Sequence, residues 1–459
     1  MNNLVIDLTH GGVKIAISLA KKGKNVLAYD IYNTLNDIDA KMLAIYNVDL
    51  IQLDELSDFR GDMNIIYPIH MPLDFSDITK NNPDLNYTFQ THHEAIKELL
   101  DDWARDIPKI EVTGVKGKTS TVFMLKEILI DENPLILSSL GAMLFEDDKK
   151  IMLKRDISIA PSNIKETIDL AYKIANPVCL IADGVVQSEN LRKYNSAIFE
   201  SSLGVSGIGD VGVLTNIVED YPIAKSKSSA SEAKKQVFRC NTVVCQKEAY
   251  DKFYSDITHD KVNTFSLTDK SANLYPGEIN YSLDETTINL SFRDVKTIND
   301  NLVSGDMTLT VFAPGKYNVS NVLGIVLTAI SLEIPKEKII QGLENYKGIP
   351  GRTNKRKIEN ITVIEEINPG INTKAIEESI NMISNMDDYL IAIGGDYGIT
   401  CEEIDEKKVS KYLDNLESEI ILTGEVGSSI NEQMKNKCKV IENYNDVYDI
   451  ALKNNKNLL

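Results

Sequence analysis

The sequence predicts an α/β protein built from three domains. Its 459 residues exceed what one compact core usually organises, so several domains are expected. Short apolar strands alternate with amphipathic helices along most of the chain. This alternation is interrupted around DDWARDIPKI and begins again after it. A second interruption, at GIPGRTNKR, contains glycine, proline and charged residues. We therefore expect domains at 1–103, 104–349 and 350–459.

Composition limits the partners of this chain. The 68 acidic residues outnumber the 49 basic ones, and the net charge of −19 argues against nucleic acid or an anionic membrane as the main partner. The five cysteines form no Cys-x-x-Cys pair, so reduced thiols are expected. The first residues lack a basic leader, and no apolar run reaches bilayer length. We predict a soluble cytoplasmic protein, a monomer or weak dimer, that acts on a small molecule.

The first domain begins with a parallel α/β pattern. NLVIDL and NVLAYD are predicted strands on either side of the helix VKIAISLAKKG, which Gly23 ends, and MNIIYP is a later strand. The turn Thr9-His10-Gly11-Gly12 occupies the pyrophosphate position of a Rossmann fold, and Asp30 that of its ribose ligand. The Gly-x-Gly-x-x-Gly fingerprint is missing, so a Rossmann-like scaffold is favoured over a dinucleotide site.

The second and third domains repeat the alternation. Strands are predicted at VCLIADG, SAIFESS, VGVLTNI and NTVVCQK, and a strand-rich stretch over about 262–312 resembles an antiparallel insertion or edge sheet. Two helices follow, VSNVLGIVLTAISLE and PKEKIIQGLENY. After GIPGRTNKR, strands at ITVIEEI, YLIAIGGD and EIILTGE alternate with helices to the last residues.

The segment IEVTGVKGKTST has the order strand, glycine loop, Lys-Thr and helix that a phosphate site requires. Gly114 and Gly117 let backbone N–H groups converge on phosphate oxygens, Lys118 would neutralise the β- and γ-phosphates, and Thr119 would hold Mg²⁺. Val112 stands where a longer Walker loop has its first glycine, so the standard spacing fails. The predicted nucleotide-binding residues here are Gly114, Val115, Lys116, Gly117, Lys118, Thr119 and Ser120.

The shortened form Thr-Gly-x-x-Gly-Lys-Thr resembles the Mur ligase superfamily, the ATP-dependent ligases of cell-wall precursors, together with the folylpolyglutamate synthetases. This resemblance implies a three-domain Mur ligase architecture, with a Rossmann-like N-terminal domain, a central P-loop ATPase domain and a C-terminal Rossmann-like domain. It also implies ATP and Mg²⁺ as cofactors, and a reaction in which a carboxylate attacks the γ-phosphate to give an acyl phosphate and ADP.

Further motifs match this superfamily in order. FESS places Glu200 where the family has a Mg²⁺-binding glutamate, and SEAKKQVF places Lys234 where it has a metal-bridging lysine that is often carbamylated. PGKYNVSN supplies Asn318 for adenine, with Asn321 one turn later. The resemblance implies a phosphate-contacting arginine and a ribose-binding acidic residue in the third domain; these are Arg352 and Glu366, with Asn372 closing the loop of the latter. Lys118, Lys234 and Glu200 are the expected catalytic residues, and Thr119, Glu200 and Lys234 the expected metal ligands.

The sequence departs from the family pattern at three places, which concern the acceptor substrate and a second Mg²⁺ that a histidine binds in the family. Asp220-Tyr221 replaces the usual Asp-His after the TNI strand, and Tyr317 replaces a histidine in PGKYN. EEINPGIN lacks the Asp-Ser-Lys or Asp-Tyr-His of peptide-forming members. ATP activation is therefore expected to persist while the amino-acid substrate is in doubt.

The first domain resembles the Mur-like ligases of methanogens that form coenzyme F(430) by closing the last carbocyclic ring of a nickel tetrapyrrole seco acid. Its stretches DLTHGG, YPIHMPLDF and THHEAIKELL hold four of the five histidines, among them His70. The expected substrate-binding residues are His10, Gly11, Gly12, His92 and His93; capping or surface roles for single histidines are an equal alternative.

Two other functions stay open from the sequence. A pseudomurein or other Mur-type peptide ligase would differ only in using an amine as nucleophile. A P-loop nucleotide switch or a dinucleotide-binding regulator would lack ligase activity. The adenine segment and the arginine before a third α/β domain disfavour the switch, and the missing glycine fingerprint disfavours the regulator.

Overall fold

The computed structural model describes residues 1–176, 179–181, 184–186, 191–224, 226–366, 373–383, 388–397 and 405–459. Three large sheets, each flanked by helices, organise this part of the chain. The predicted α/β class is therefore confirmed. None of the described helices combines the length and apolar character needed to cross a bilayer.

The first sheet has five parallel strands in the order β3-β2-β1-β4-β5. Its central strand β1 is apolar because both of its faces are covered, and Leu4, Val5 and Ile6 are fully buried. Gly23 follows the first helix at φ +75°, as the sequence predicts. The elements are β1 Asn2–Ile6, α1 Val13–Lys21, β2 Asn25–Tyr29, α2 Asp37–Ile45, β3 Asp49–Leu50, β4 Asp62–Tyr67, α3 Phe75–Thr79, β5 Asn86–Thr91 and α4 His92–Leu99.

The central sheet has eleven strands, and β6 lies between β13 and β12. Both neighbours run parallel to β6, so the three carboxyl ends meet at one edge. The first half of this region contains β6 Lys109–Thr113, α5 Lys118–Ile128, β7 Pro134–Ser138, β8 Gly141–Glu146, β9 Lys149–Lys154, α6 Pro161–Ala175, β10 Cys179–Ile181, β11 Gly184–Val186, β12 Ser196–Glu200, β13 Val211–Leu214, β14 Pro222–Ile223 and β15 Ser228–Ser229.

The second half of this region extends the sheet to its other edge. Its elements are α7 Ala230–Lys234, β16 Thr242–Gln246, α8 Lys247–Phe253, β17 Val262–Phe265, β18 Leu274–Asn280, β19 Thr286–Lys296, β20 Leu302–Val311, α9 Lys316–Ser331 and α10 Lys336–Asn345. The full strand order is β20-β19-β18-β17-β16-β13-β6-β12-β7-β8-β9.

Two details of this sheet differ from the sequence prediction. The stretch over 262–312 does form the sheet edge, but β17 pairs in parallel with β16 and so continues the parallel sheet. The strand predicted at VCLIADG is β10, which pairs antiparallel with β11 in a separate two-stranded sheet. A short run of apolar residues indicates a strand but not its partner.

The third sheet has six strands in the order β21-β22-β26-β23-β24-β25. Strand β21 begins within the segment GIPGRTNKR, which was predicted as a linker. Its pairing with β22 is antiparallel, whereas β23 and β24 are parallel. The elements are β21 Asn354–Ile358, β22 Ile361–Glu365, α11 Thr373–Met382, β23 Tyr389–Gly394, α12 Glu406–Leu413, β24 Glu419–Thr423, α13 Gly424–Gln433, β25 Lys439–Ile441, α14 Asn445–Asn454 and β26 Asn457–Leu458.

Backbone contacts divide the chain into two compact units. Unit 1 comprises residues 1–276, 291–306 and 323–342, and unit 2 comprises 277–290, 307–322 and 343–459. Unit 1 holds both the first sheet and the phosphate-loop strand. The domain boundaries at 103 and 349 remain predictions.

Candidate functional site

The phosphate loop joins the buried strand β6 to helix α5 in unit 1. Gly114 has φ +143°, and a Cβ added there would lie 1.9 Å from Thr215 Oγ1. Gly117 has φ +83° and forms the N-cap of α5. Both positions therefore require glycine, the first for close approach of a neighbour and the second for its left-handed backbone. The helix begins at Lys118, so its amino end faces the loop.

Asn216 holds the loop from the neighbouring strand. Its Oδ1 accepts the backbone N–H of Lys116 at 3.0 Å, and its Nδ2 donates to the Lys116 carbonyl at 3.0 Å. Thr215 Oγ1 donates to the same carbonyl at 2.6 Å. These bonds fix the conformation of the loop. The TNI motif indicates the strand end, but only the adjacency of β13 and β6 assigns Thr215 and Asn216 to this task.

Lys118 lies over the loop. Its Nζ donates to the Gly114 carbonyl at 3.1 Å and stands 3.4 Å from the Val115 carbonyl. The ammonium is thus held beside the backbone that a phosphate chain would contact. Its role in neutralising phosphate oxygens remains a prediction.

Three oxygen-bearing side chains meet at the carboxyl ends of β7 and β12. Thr119 Oγ1 donates to Glu200 Oε1 at 3.1 Å and lies 3.0 Å from Ser139 Oγ. Glu200 Oε2 accepts the Ser139 backbone N–H at 3.0 Å, and Glu200 is only 2% exposed. A carboxylate and two hydroxyls are hard oxygen donors, which is the ligand type that Mg²⁺ prefers. The sequence predicts Thr119 and Glu200 here but misses Ser139, because nothing in its local pattern marks it.

Lys234 is fully buried at the end of α7. Its Nζ donates to the Ser202 carbonyl at 3.0 Å and lies 5.5 Å from the centre of the Tyr221 ring. Ser202 follows Glu200 by two residues, so Lys234 is near the strand end that carries Glu200. Tyr221, which replaces the family histidine, therefore faces the lysine as an aromatic ring.

Asp220 has a structural task in the same region. Its two carboxylate oxygens accept the backbone N–H and the hydroxyl of Ser231, at 2.7 and 2.8 Å. These bonds hold the first turn of α7, the helix that ends in Lys234.

The residues expected for adenine and ribose lie in unit 2. Asn318 Nδ2 donates to Thr353 Oγ1 at 3.1 Å, and Thr353 Oγ1 donates to Glu366 Oε2 at 2.5 Å. Thr353 thus links two predicted residues and was not itself predicted. Arg352 immediately precedes it, and Asn372 lies outside the described residues. Burial, with Glu378 and Glu377 nearby, raises the pKa of Tyr317 to about 12.

The first glycine turn of the chain places a carboxylate beneath two imidazoles. Asp7 is fully buried, and its Oδ2 lies 2.7 Å from His10 Nδ1 and 3.4 Å from His70 Nε2. Burial opposes ionisation of Asp7, but its contacts with His70 and His10 outweigh this and lower its pKa. These three residues also have ligand atoms close enough together for one metal ion. The sequence predicts His10 as a site residue but does not identify Asp7.

His92 and His93 are buried, unlike His10. They are 2% and 4% exposed, and His92 Nε2 lies 3.0 Å from the Ile6 carbonyl oxygen. Burial lowers the pKa of His92 to about 4 and that of His93 to about 3. Both imidazoles are therefore neutral at pH 7. Their role in substrate binding remains a prediction, as do those of Gly11 and Gly12.

Asp30 is already engaged by its own turn. One carboxylate oxygen accepts the backbone N–H of Leu35 at 2.7 Å, and the other accepts that of Tyr32 at 3.3 Å. This use of the carboxylate agrees with the preference for a Rossmann-like scaffold over a dinucleotide site.

Known proteins resemble this chain over most of its length. A family model described as "Coenzyme F430 synthetase CfbE, C-terminal domain" matches residues 355–459. The coenzyme F(430) synthetase of Methanocaldococcus jannaschii is 26% identical over 439 residues, covering 93% of this chain and 91% of that protein. The coenzyme F(430) synthetase of Methanosarcina acetivorans is 26% identical over 449 residues, covering 92% and 89%.

Solved structures share the fold. MurF from Acinetobacter baumannii superposes with a TM-score of 0.57 at 16% identity, covering 86% of this chain and 80% of that one. A pseudomurein peptide ligase type C from Methanothermus fervidus gives a TM-score of 0.51 at 17% identity, covering 100% and 96%. The solved structures thus confirm the predicted three-domain α/β architecture, and the two coenzyme F(430) synthetases confirm the resemblance in sequence.

Proposed function

We propose that this protein is an ATP-dependent, ADP-forming ligase that activates a carboxylate as an acyl phosphate. We further propose that it closes the carbocyclic ring of a nickel seco precursor to form coenzyme F(430). The observation that carries the first proposal is the Thr119–Glu200 contact beside Lys118, at the sheet edge where ligands bind in parallel α/β folds. The relatives named coenzyme F(430) synthetase support the second.

The geometry of unit 1 fits the first chemical step. A carboxylate must approach a phosphate chain that is itself anionic, so positive charge has to offset the repulsion. The loop amides, the amino end of α5 and the Lys118 ammonium supply that charge at one place. Thr119, Glu200 and Ser139 would hold Mg²⁺, which would supply further positive charge against the phosphate chain.

Lys234 is proposed as a further ligand in its carbamylated form. Carbamylation would convert the buried Lys234 ammonium into an anion close to the Glu200 carboxylate. Two buried anions so close together would need a cation between them. Replacement of Lys234 by Ala should abolish turnover, and added short carboxylic acids should partly restore it. A ¹³C NMR spectrum of active protein in ¹³C-labelled bicarbonate that lacks a carbamate signal would contradict this role.

The decisive experiment separates the two nucleophiles. The protein is incubated with ATP, Mg²⁺ and the nickel seco acid, without amino acids, and ADP and product mass are measured. We expect ADP, phosphate and a product lighter by one water. A parallel reaction contains pseudomurein-type nucleotide peptides with single amino acids. Turnover only in that second reaction would assign the protein to the peptide ligases.

Lys118→Ala tests the phosphate site itself. Loss of a charge at the transferring phosphoryl group should slow turnover by about a hundredfold or more. Lys149→Ala, an exposed lysine on β9, is the matched control and should leave turnover unchanged. Near-normal turnover of folded Lys118→Ala would refute the phosphate-loop assignment.

A further inference from the structure

The turn that follows β1 presents an imidazole whose orientation is fixed by a buried carboxylate. His10 has a half-exposed side chain, at 48%, whereas the Asp7 side chain beneath it is 0% exposed. Because a carboxylate only accepts hydrogen bonds, the 2.7 Å contact requires His10 Nδ1 to carry the proton. In the neutral ring the lone pair then lies on Nε2.

The carboxylate is itself held firmly. Asp7 Oδ1 accepts the backbone N–H groups of Thr9 and His10, at 3.0 and 3.2 Å. The backbone of Asp7 has φ +72°, a strained conformation for a residue with a side chain. Strain of this kind persists only where surrounding contacts over-determine it, and it is common at functional sites.

The two glycines of this turn allow it to pack tightly. A Cβ added at Gly12 would lie 2.1 Å from the Asp7 carbonyl oxygen, and one added at Gly11 would lie 2.0 Å from Ser162 Oγ. Ser162 is in the first turn of α6, so the backbone of the turn that carries His10 packs against this helix.

Contacts within unit 1 connect this turn with the proposed metal ligands. Helix α6 begins at Pro161, and the carbonyl of Ile159 just before it accepts the Ser202 backbone N–H at 3.4 Å. The Ser202 carbonyl in turn accepts Lys234 Nζ. The turn that carries His10 and the strand end that carries Glu200 therefore contact residues only three positions apart in the chain, Ser162 and Ile159.

We propose that His10, oriented by Asp7, accepts the proton that the carbon nucleophile loses during ring closure. This inference rests on the proposed function, because a carbon–hydrogen bond must break in that reaction. The electron pair of that bond forms the new carbon–carbon bond to the acyl carbon. The proton passes to His10 Nε2. The bond between the acyl carbon and the phosphate oxygen breaks, and phosphate leaves with the electron pair of that carbon–oxygen bond.

Other groups at the predicted site are less suited to this task. Glu200 accepts two hydrogen bonds and is buried among the proposed metal ligands. Lys118 lies over the phosphate loop as a cation. The titratable groups that face His10 are Asp7, His70 and Tyr32; the rings of the last two lie 4.7 and 5.6 Å from its own, edge-on. His10 combines exposure with a fixed tautomer.

The test separates activation from ring closure. His10→Gln, Asp7→Asn and the control His259→Gln are incubated with the nickel seco acid, Mg²⁺ and ATP, with and without hydroxylamine, which traps acyl phosphates as hydroxamates. For His10→Gln we expect ADP release and hydroxamate within about threefold of the unmodified protein, and ring closure slowed by roughly a hundredfold or more. Asp7→Asn should likewise slow ring closure more than ADP release, but by a smaller factor, because it removes only the group that orients His10.

Several outcomes would overturn the proposal. Ring closure at the normal rate in His10→Gln would remove the proton-accepting role, and equal loss of both steps would indicate a structural or binding role instead. A stoichiometric divalent metal in the purified protein that is lost in His70→Ala would assign the three side chains to a metal site. Absence of ADP release by the unmodified protein on the seco acid would refute the proposed function and, with it, this inference.

Discussion

Replacement of Gly114 by alanine should destabilise the protein far more than the same change at another glycine with positive φ. Gly114 and Gly61 have φ +143° and +87°, so alanine strains the backbone at both. A Cβ at Gly61 meets nothing within 4 Å, whereas a Cβ at Gly114 lies 1.9 Å from Thr215 Oγ1 and 3.1 Å from the Thr215 backbone nitrogen. Gly61→Ala therefore measures backbone strain alone.

The magnitude follows from what the Cβ displaces. Backbone strain costs about 1–2 kcal/mol at Gly61. At Gly114, Thr215 must also move, which breaks its 2.6 Å bond to the Lys116 carbonyl at a cost of about 1 kcal/mol. Overpacking adds roughly 1–3 kcal/mol. We expect Gly114→Ala to be less stable than Gly61→Ala by about 2–4 kcal/mol, or roughly 4–8 °C in Tm for a unit of this size.

Thermal unfolding followed by circular dichroism, with and without ATP, measures this difference. Under the proposed function ATP should raise the Tm of the unmodified protein, and Gly114→Ala should lose this increase because the loop can no longer accommodate a phosphate group. The double variant Gly114→Ala/Thr215→Ala should be more stable than the sum of the single changes predicts, because the contacting hydroxyl is gone. Equal Tm values for Gly114→Ala and Gly61→Ala would refute the steric reasoning.

Three further predictions concern other parts of unit 1. Glu111→Gln should lower the free energy of unfolding by about 3 kcal/mol, which a lower Tm would show. The buried Glu111 carboxylate accepts three backbone N–H groups from residues 206–209, and the NH₂ group of a glutamine would face at least one of these donors. Asn216→Ala should lower kcat/KM for ATP by about thirtyfold, the equivalent of its two bonds to Lys116, with Tm as the check that the fold persists. Acidification from pH 7 to pH 5 should lower the free energy of unfolding by roughly 2 kcal/mol for each of His92 and His93. The pKa values of both are lowered in the folded state, so the unfolded chain takes up protons at a higher pH than the folded protein. His93→Leu should make Tm less dependent on pH over this range; an unchanged dependence would contradict the burial argument.

Local pattern was sufficient for much of the fold. The apolar runs within 2–6 and 25–29 are strands because buried parallel strands consist mostly of apolar and β-branched residues. The glycine turn at Gly117 and the helix that begins at Lys118 were also predictable from a few adjacent residues, since both are local features. Local pattern also misled: strand β21 was missed because its glycine- and charge-rich surroundings are typical of a linker.

Side-chain partners from distant parts of the chain were decided by the tertiary structure. Ser139 and Glu200 are 61 residues apart, and Asn216 and Lys116 are 100 apart; each pair meets because parallel strands adjacent in the sheet end at the same edge. The Asp7–His70 contact likewise depends on β1 lying beside β4. The periodicity of a sequence determines which face of a strand is buried. It does not specify which strand lies alongside, because that choice depends on the packing of the whole core.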